Sequence, residues 1–174
     1  MIKYSLILLA FLSICSCDND ASLSSVGKVM GYKPIYISDA EVRKIELQPA
    51  RELKSPGKIY VKGDFLYVVE NLEGIHVIDN KDPKNPIFLK FLKIRCNKDI
   101  EMKGNVLYAD NGLDLVAINM ANPESASVLK RIENVFPYTT FPPFENVKFE
   151  CPDKTKGQVF SWEYVELENP KCYR

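Results

Sequence analysis

The chain holds a single histidine, His76, set in the run Ile75-His-Val-Ile-Asp79. An imidazole can serve as a general base, but catalysis needs a nucleophile or a second acid–base group beside it, and no Ser or Cys lies near His76 in sequence. The alternation around it is that of a β-strand, which turns His76 to the face opposite Ile75 and Val77, and that face is expected to meet solvent. Asp79, Asp82, Asp110 and Asp114 are of a type that suits hard cations, yet their spacing does not follow the Asp-x-Asp-x-Asp-Gly loop. Asp79 and Asp82 are better placed to cap turns by accepting from backbone amides. No Cys or His spacing matches a zinc site, and glycine-rich phosphate loops, nucleophile elbows and paired carboxylates on one element are absent. The residues define no catalytic, cofactor-binding or metal-binding set, so the expectation is a non-enzymatic protein without a cofactor.

Five cysteines remain to be placed. Cys151 and Cys172 bracket a turn signal, Asp153-Lys-Thr-Lys-Gly157, and an alternating run, Gln158-Val-Phe-Ser-Trp-Glu-Tyr-Val165. A Cys151–Cys172 bridge would staple this tail, and closing a loop of about 20 residues contributes roughly 3 kcal/mol. Cys96 reads as a small buried hydrophobe. Phe136, Tyr138, Phe141 and Phe144 share nine residues with three prolines, a segment too stiff for a helix. It is expected to fold over an open sheet edge and complete the core; the alternative is an exposed recognition patch.

The elements that position these residues follow from composition and patterning. At 174 residues, 46% apolar and 26% charged, the chain has the size and mix of one folded domain, which excludes collagen, long disorder and a polytopic membrane protein. Twenty-three basic and 23 acidic side chains cancel, so no overall field favours nucleic acid.

Lys3 is the only charge before the apolar run Tyr4–Ile14, which leads directly to Cys15-Ser-Cys17 and then Asp18, Asn19 and Asp20. This is the order of a signal peptide: charged n-region, apolar h-region, processing site. At about 1.5 Å per residue such a run falls well short of the roughly 30 Å hydrocarbon core. Ile14-Cys15-Ser16-Cys17 resembles the bacterial lipoprotein box, with residues 1–16 removed and Cys17 acylated as the new N-terminus. Bulky Ile14 stands where the peptidase wants a small side chain if Cys15 were modified instead. Acyl chains add about 0.8 kcal/mol per buried methylene and anchor without a spanning helix. Asp18-Asn19-Asp20 is similar to the acidic export tag of Bacteroidetes lipoproteins, which implies the outer face of the outer membrane. An Asp after the lipidated cysteine marks inner-membrane retention in other bacteria, so a periplasm-facing location stays open. Residues 17–31 read as a flexible tether.

Sliding the chain on itself by 40 or 41 places reveals a repeat. Ile59, Lys62-Gly63 and Leu66-Tyr67 recur as Ile100, Lys103-Gly104 and Leu107-Tyr108. After a one-residue slip, Ile78, Pro83 and Leu89-Lys90 recur as Ile118, Pro123 and Leu129-Lys130. Each copy reads as four short strands, at 58–62, 65–69, 75–79 and 87–94 and then at 99–103, 106–110, 113–119 and 126–132. A period of about 40 residues with four strands per copy is the arithmetic of a β-propeller blade. Ile75-His-Val-Ile-Asp79 followed by Asp82-Pro83 and Asn85-Pro86 resembles the LVIVD repeat. Leu115-Val-Ala-Ile-Asn119 and Asn122-Pro123 in the second copy carry Asn where the repeat has Asp. Gly31-Tyr-Lys-Pro-Ile-Tyr36 and the Cys172-Tyr-Arg174 ending are also similar to short Bacteroidetes lipoproteins with these repeats. The resemblance implies propeller-type architecture and an envelope location, and no reaction.

The expected fold is therefore all-β in the main. It has two four-stranded antiparallel units at about 56–94 and 95–135, a tail at 136–174, and one domain over residues 32–174. Ser38 and Glu41 form a capping box for a short helix, Asp39–Glu46, packed on the first sheet. Val159–Val165 adds a strand in the tail. Two blades cannot close a ring, so the segment 32–55, the tail or another copy of the chain must cover the open edges. The partners expected are the membrane through the lipid anchor and an envelope protein or a second copy, with the chain presenting a β-rich surface to an envelope assembly. The alternative is a glycan-binding or small-ligand-binding accessory protein that uses aromatics such as Trp162.

Overall fold

The computed structural model describes residues 27–174. Cys17, Asp18, Asn19, Asp20 and the signal segment lie outside the described residues. The chain order is β1 (Val29–Ile37), α1 (Asp39–Val42) and β2 (Glu46–Pro49), followed by two repeats. The first repeat is β3 (Pro56–Lys62), β4 (Phe65–Glu70), β5 (Gly74–Asp79) and β6 (Ile87–Lys93); the second is β7 (Ile100–Lys103), β8 (Val106–Asn111), β9 (Asp114–Asn119) and β10 (Ser127–Ile132). The tail adds β11 (Lys148–Phe149), β12 (Gln158–Leu167) and β13 (Cys172–Tyr173). The fold is mainly β, and the eight repeat strands lie where alternation and turn signals place them, within two residues. No helix among the described residues is long and apolar enough to cross a membrane.

Each repeat is an antiparallel meander, ordered β3-β4-β5-β6 and β7-β8-β9-β10. The two sheets share one core. Tyr67, Val69, Ile75, Val77 and Leu92 of the first meet Ile100, Met102, Leu107, Ala109, Val116 and Ile118 of the second. The repeat alignment makes this a same-sense stack. Ile75 and Val77 correspond to Leu115 and Ala117, which face outward, whereas Val116 and Ile118 correspond to His76 and Ile78 on the far side of the first sheet. The front of one repeat thus packs on the back of the next.

The helix is shorter than its capping box promises. Ser38 Oγ accepts from the Glu41 amide at 3.2 Å, but α1 ends at Val42 after one turn. Ile45-Glu-Leu-Gln then follows strand alternation instead. β2 pairs antiparallel with β6 and makes the first sheet five-stranded, with Leu47 and Ile45 against the shared core. Val42 packs on Ile37, Cys96 and Phe160, away from the first sheet on which the helix was expected to lie.

The third sheet has order β12-β1-β11-β13 and joins the two ends of the described chain. β1 pairs with β12 from Val29↔Leu167 to Ile37↔Gln158, so Val29, Met30 and Gly31 belong to a strand although composition assigns them to the tether. Gly31 is required here, because a Cβ would stand 2.7 Å from the Lys148 carbonyl oxygen of β11. Cys151 and Cys172 are disulfide-bonded across this sheet. The N-terminal segment and the tail thus pair with each other. Among the described residues only β2 covers a repeat edge, and β3, β7 and β10 are edge strands.

A buried polar cluster joins the second and third sheets to the segments that flank the first. The Asp114 carboxylate is fully buried and accepts from Arg131 Nη1 at 2.9 Å, Arg43 Nε at 3.0 Å and the Asn134 amide at 3.0 Å. Asn111 Nδ2 donates to the carbonyls of Val42 and Arg95, both at 2.8 Å, while its Oδ1 accepts from Arg131. Gln158 of β12 donates to Asp39 Oδ1 and accepts from the Leu113 amide. Gly112 turns beside it at φ +66, where a Cβ would stand 2.0 Å from Gln158 Oε1.

Burial alone would raise the Asp114 pKa, but the Asn134 amide and the two guanidiniums outweigh it and hold the carboxyl below its usual range. With the folded value below the unfolded one of about 3.9, its stabilisation is complete above that value. It is lost as pH falls through the lower folded value. Asp114→Ala strands two guanidiniums and is expected to cost about 3–5 kcal/mol. Urea unfolding at pH 7 measures this loss, and repeating it down to pH 3 should show a shallower acid limb in the variant than in the parent.

Candidate functional site

The proline-rich segment 136–144 forms a strap. Pro137, Pro142 and Pro143 keep it extended, and it is pinned at intervals: the Phe136 amide to the Leu113 carbonyl, Tyr138 Oη to the Gly157 carbonyl, and Arg174 Nη1 to the Pro142 carbonyl. Its aromatics do not seal the second sheet. Phe136, Phe141 and Phe144 remain 39%, 47% and 48% exposed, and the strap runs on to the third sheet, where Phe144 stacks on Tyr32 with centroids 4.8 Å apart. The physical reason lies in Tyr32, Tyr164 and Trp162, which give the strap an aromatic face that β10 does not offer.

Between the strap, β12 and the loops of the repeats lies a cleft of about 820 Å³. Phe141 and Phe144 of the strap form one wall, Phe160 and Trp162 of β12 form the floor, and Asn71, Leu72 and Lys98 form the far wall. Trp162 is held edge-on against Phe149, and Arg174 lies over the Phe141 ring at 4.1 Å. The guanidinium of Arg95 stands 4.9 Å over Phe160. The cleft therefore presents aromatic surfaces beside two cations, Lys98 and Arg174, with Thr139, Ser161 and Asn71 as hydrogen-bonding groups. A smaller cavity of about 180 Å³ continues from it past Leu72, Lys98 and Phe160 towards Cys96 and Asp110.

The chemical candidates of the sequence fall elsewhere or are otherwise engaged. His76 does project opposite Ile75 and Val77, but it is fully buried and not solvent-facing. The segment between β2 and β3 folds over that face. Arg51 lies 3.6 Å over Phe91 and donates to Glu70 Oε2 at 2.8 Å, and the His76 Nε2–H donates to the same oxygen at 2.8 Å. Burial pushes Glu70 up, yet the His76 and Arg51 hydrogen bonds hold it below its ordinary value. Asp79 and Asp82 cap turns, accepting from the Lys81 and Lys84 amides. Asp110 accepts from the Lys98 and Asp99 amides and from Asn97. Among the described residues no three His, Cys, Asp or Glu side chains converge on a point.

Of the strap residues singled out from sequence, Phe141 and Phe144 line the cleft, while Phe136 and Tyr138 line the adjoining cavity. Trp162, singled out as a ligand-facing aromatic, is on the floor. Phe160, Lys98 and Arg174 were not legible. Phe160 alternates like any strand aromatic, and the other two are common surface cations that reach the cleft only through tertiary packing.

Cys96, at φ +62, is a buried free thiol beside the smaller cavity, and burial pushes its pKa up to about 11. A thiol so protonated is a poor nucleophile at neutral pH. In a Cys15→Ser, Cys17→Ser chain, Ellman's reagent at pH 8 should leave the folded protein unmodified and titrate one thiol, Cys96, in urea; rapid modification of the folded protein would contradict this placement. The chain matches no family model, no curated protein and no solved structure, so its own residues carry the functional argument.

Proposed function

We propose that this chain is a non-enzymatic lipoprotein, anchored in the outer membrane through acylated Cys17, that presents a β-rich surface to the cell envelope and holds a glycan in its aromatic cleft. One observation carries the binding reading: Phe141, Phe144, Phe160 and Trp162 are gathered along a single concave cleft and not scattered over the surface. The apolar C–H faces of a sugar ring pack on flat aromatic side chains, and its hydroxyls need polar groups at the rim, here Lys98, Asn71, Thr139, Ser161 and Arg174. A binding role is supported over a catalytic one because His76 is buried in the first sheet and does not line the cleft, and the Cys96 thiol, in the adjoining cavity, is held protonated. The same-sense stacking of the repeat sheets supports reading them as LVIVD, propeller-type units.

Two measurements test the proposal. Titration calorimetry against envelope polysaccharide fragments should detect a ligand whose affinity falls tenfold or more in Trp162→Ala. Lys98→Ala should give a smaller loss. Absence of any glycan binding, or binding indifferent to both Trp162→Ala and Phe141→Ala, would reject the cleft. Intact mass measurement of protein extracted from its own membranes should show an acylated chain starting at Cys17, and Cys17→Ala should release an unacylated one.

A further inference from the structure

The stack of the two repeats leaves its own continuation exposed at both ends. The front of the first repeat buries Tyr67, Ile75, Val77 and Leu92 against the second. The matching front of the second repeat presents Tyr108, Leu115, Ala117 and Ile132, none of which joins a buried core among the described residues; Leu115 and Ala117 are half-buried, and Tyr108 and Ile132 are 36% and 50% exposed. At the other end, the back of the second repeat buries Ile100, Met102 and Leu107. The matching back of the first repeat presents Ile59, Val61 and Leu66, of which Ile59 and Val61 are 59% and 63% exposed. The Arg51 segment covers the His76 side of the first back, so the half of the interface that stays open there is the β3 side, with Ile59 and Val61.

We infer that a second copy of this chain docks on these faces, its first-repeat back against the second-repeat front of its neighbour, in the same sense as the internal stack. Charge selects this occupant. Inside the chain, Lys58 of the first repeat pairs with Asp99 of the second at 2.7 Å, and Lys62 donates to Asn105 at 3.1 Å. Moving each position on by one repeat places Asp99 opposite Lys58 of a second copy and Lys103 opposite Asp64 of that copy. Asp99 and Lys58 already pair with each other inside each chain, so the contact that selects the occupant is Lys103 against Asp64, both exposed and of unlike charge. A front-to-front pairing would instead set apolar groups opposite each other with Lys103 against its own counterpart wherever the two-fold axis falls near it. One internal contact is not reproduced: Tyr60 Oη donates to the Met102 carbonyl, and Glu101 stands at Tyr60's place with no hydroxyl. Because the two faces differ, the contact is heterologous, and each added copy exposes the same two faces again until the rotation closes a ring. The faces lie apart from the aromatic cleft, so failure of glycan binding leaves this inference standing.

The test uses the mature full chain in detergent, with its mass distribution read by sedimentation velocity and native mass spectrometry. The parent is expected to self-associate with rising concentration. Val61→Glu damages only the back and Ala117→Glu only the front, and each should weaken self-association about tenfold or more. Mixing the two variants pairs the intact front of one with the intact back of the other and should yield a 1:1 heterodimer that grows no further. Circular dichroism checks that each variant is folded, and Lys103→Asp combined with Asp64→Lys, a swap at solvent-exposed positions, should restore the association that either change alone reduces. A parent that stays monomeric, variants that associate like the parent, or a mixture that forms no heterodimer would each overturn the inference.

Discussion

The buried carboxylate of Asp114 is the interaction that ties the N-terminal segment and the start of the strap to the second repeat. Burial of an acid is costly unless its charge is answered, and here it is answered from three places in the chain: Arg43 before the repeats, Arg131 in β10, and the Asn134 amide in the turn that launches the strap. Arg131 donates onward to the Arg43 carbonyl and to Asn111, which reaches Val42 and Arg95. The Arg131 and Asn134 bonds form within the second repeat and its exit, and the set is complete only when Arg43, Val42 and Arg95 are in place as well. A polar network of this kind sets a single relative placement where apolar contact alone would tolerate several.

That placement decides the form of the cleft. The strap leaves the second repeat at Leu113 and Asn134, and its prolines carry it forward without a ladder of its own. The third sheet that receives it exists because β1 and β12 pair along their whole length, with the Cys151–Cys172 bond closing the far side. Gln158 couples the two halves of this construction, bonding to Asp39 in α1 and to Leu113 beside the strap. The aromatic floor and the aromatic wall are thus brought together by different parts of the chain.

The two repeats have nearly the same backbone and different surroundings. A corresponding position changes polarity where the environment differs: His76 on the back of the first becomes Val116 on the back of the second, while Glu70 keeps a polar counterpart in Asn111. The first back is closed in part by Arg51 and its segment, the second by the first repeat itself. Burial of His76 follows from this cover, which alternation cannot anticipate because it comes from a segment outside the strand.

The sequence by itself determined the local structure. The eight repeat strands, their turns, the Ser38 cap, the Cys151–Cys172 pairing and the aromatic character of residues 136–144 all rest on interactions within a few residues or within one repeat period, and such interactions leave a periodic trace. Tertiary structure alone decided the rest: that Glu46–Pro49 completes the first sheet, that Val29–Ile37 pairs with Gln158–Leu167, that Arg43 and Arg131 meet on Asp114, and that Lys98 and Arg174 flank an aromatic cleft. The physical reason is separation along the chain. Strand partners some 130 residues apart leave no periodic signature in either strand, and a cation's role depends on which distant group burial forces it to neutralise.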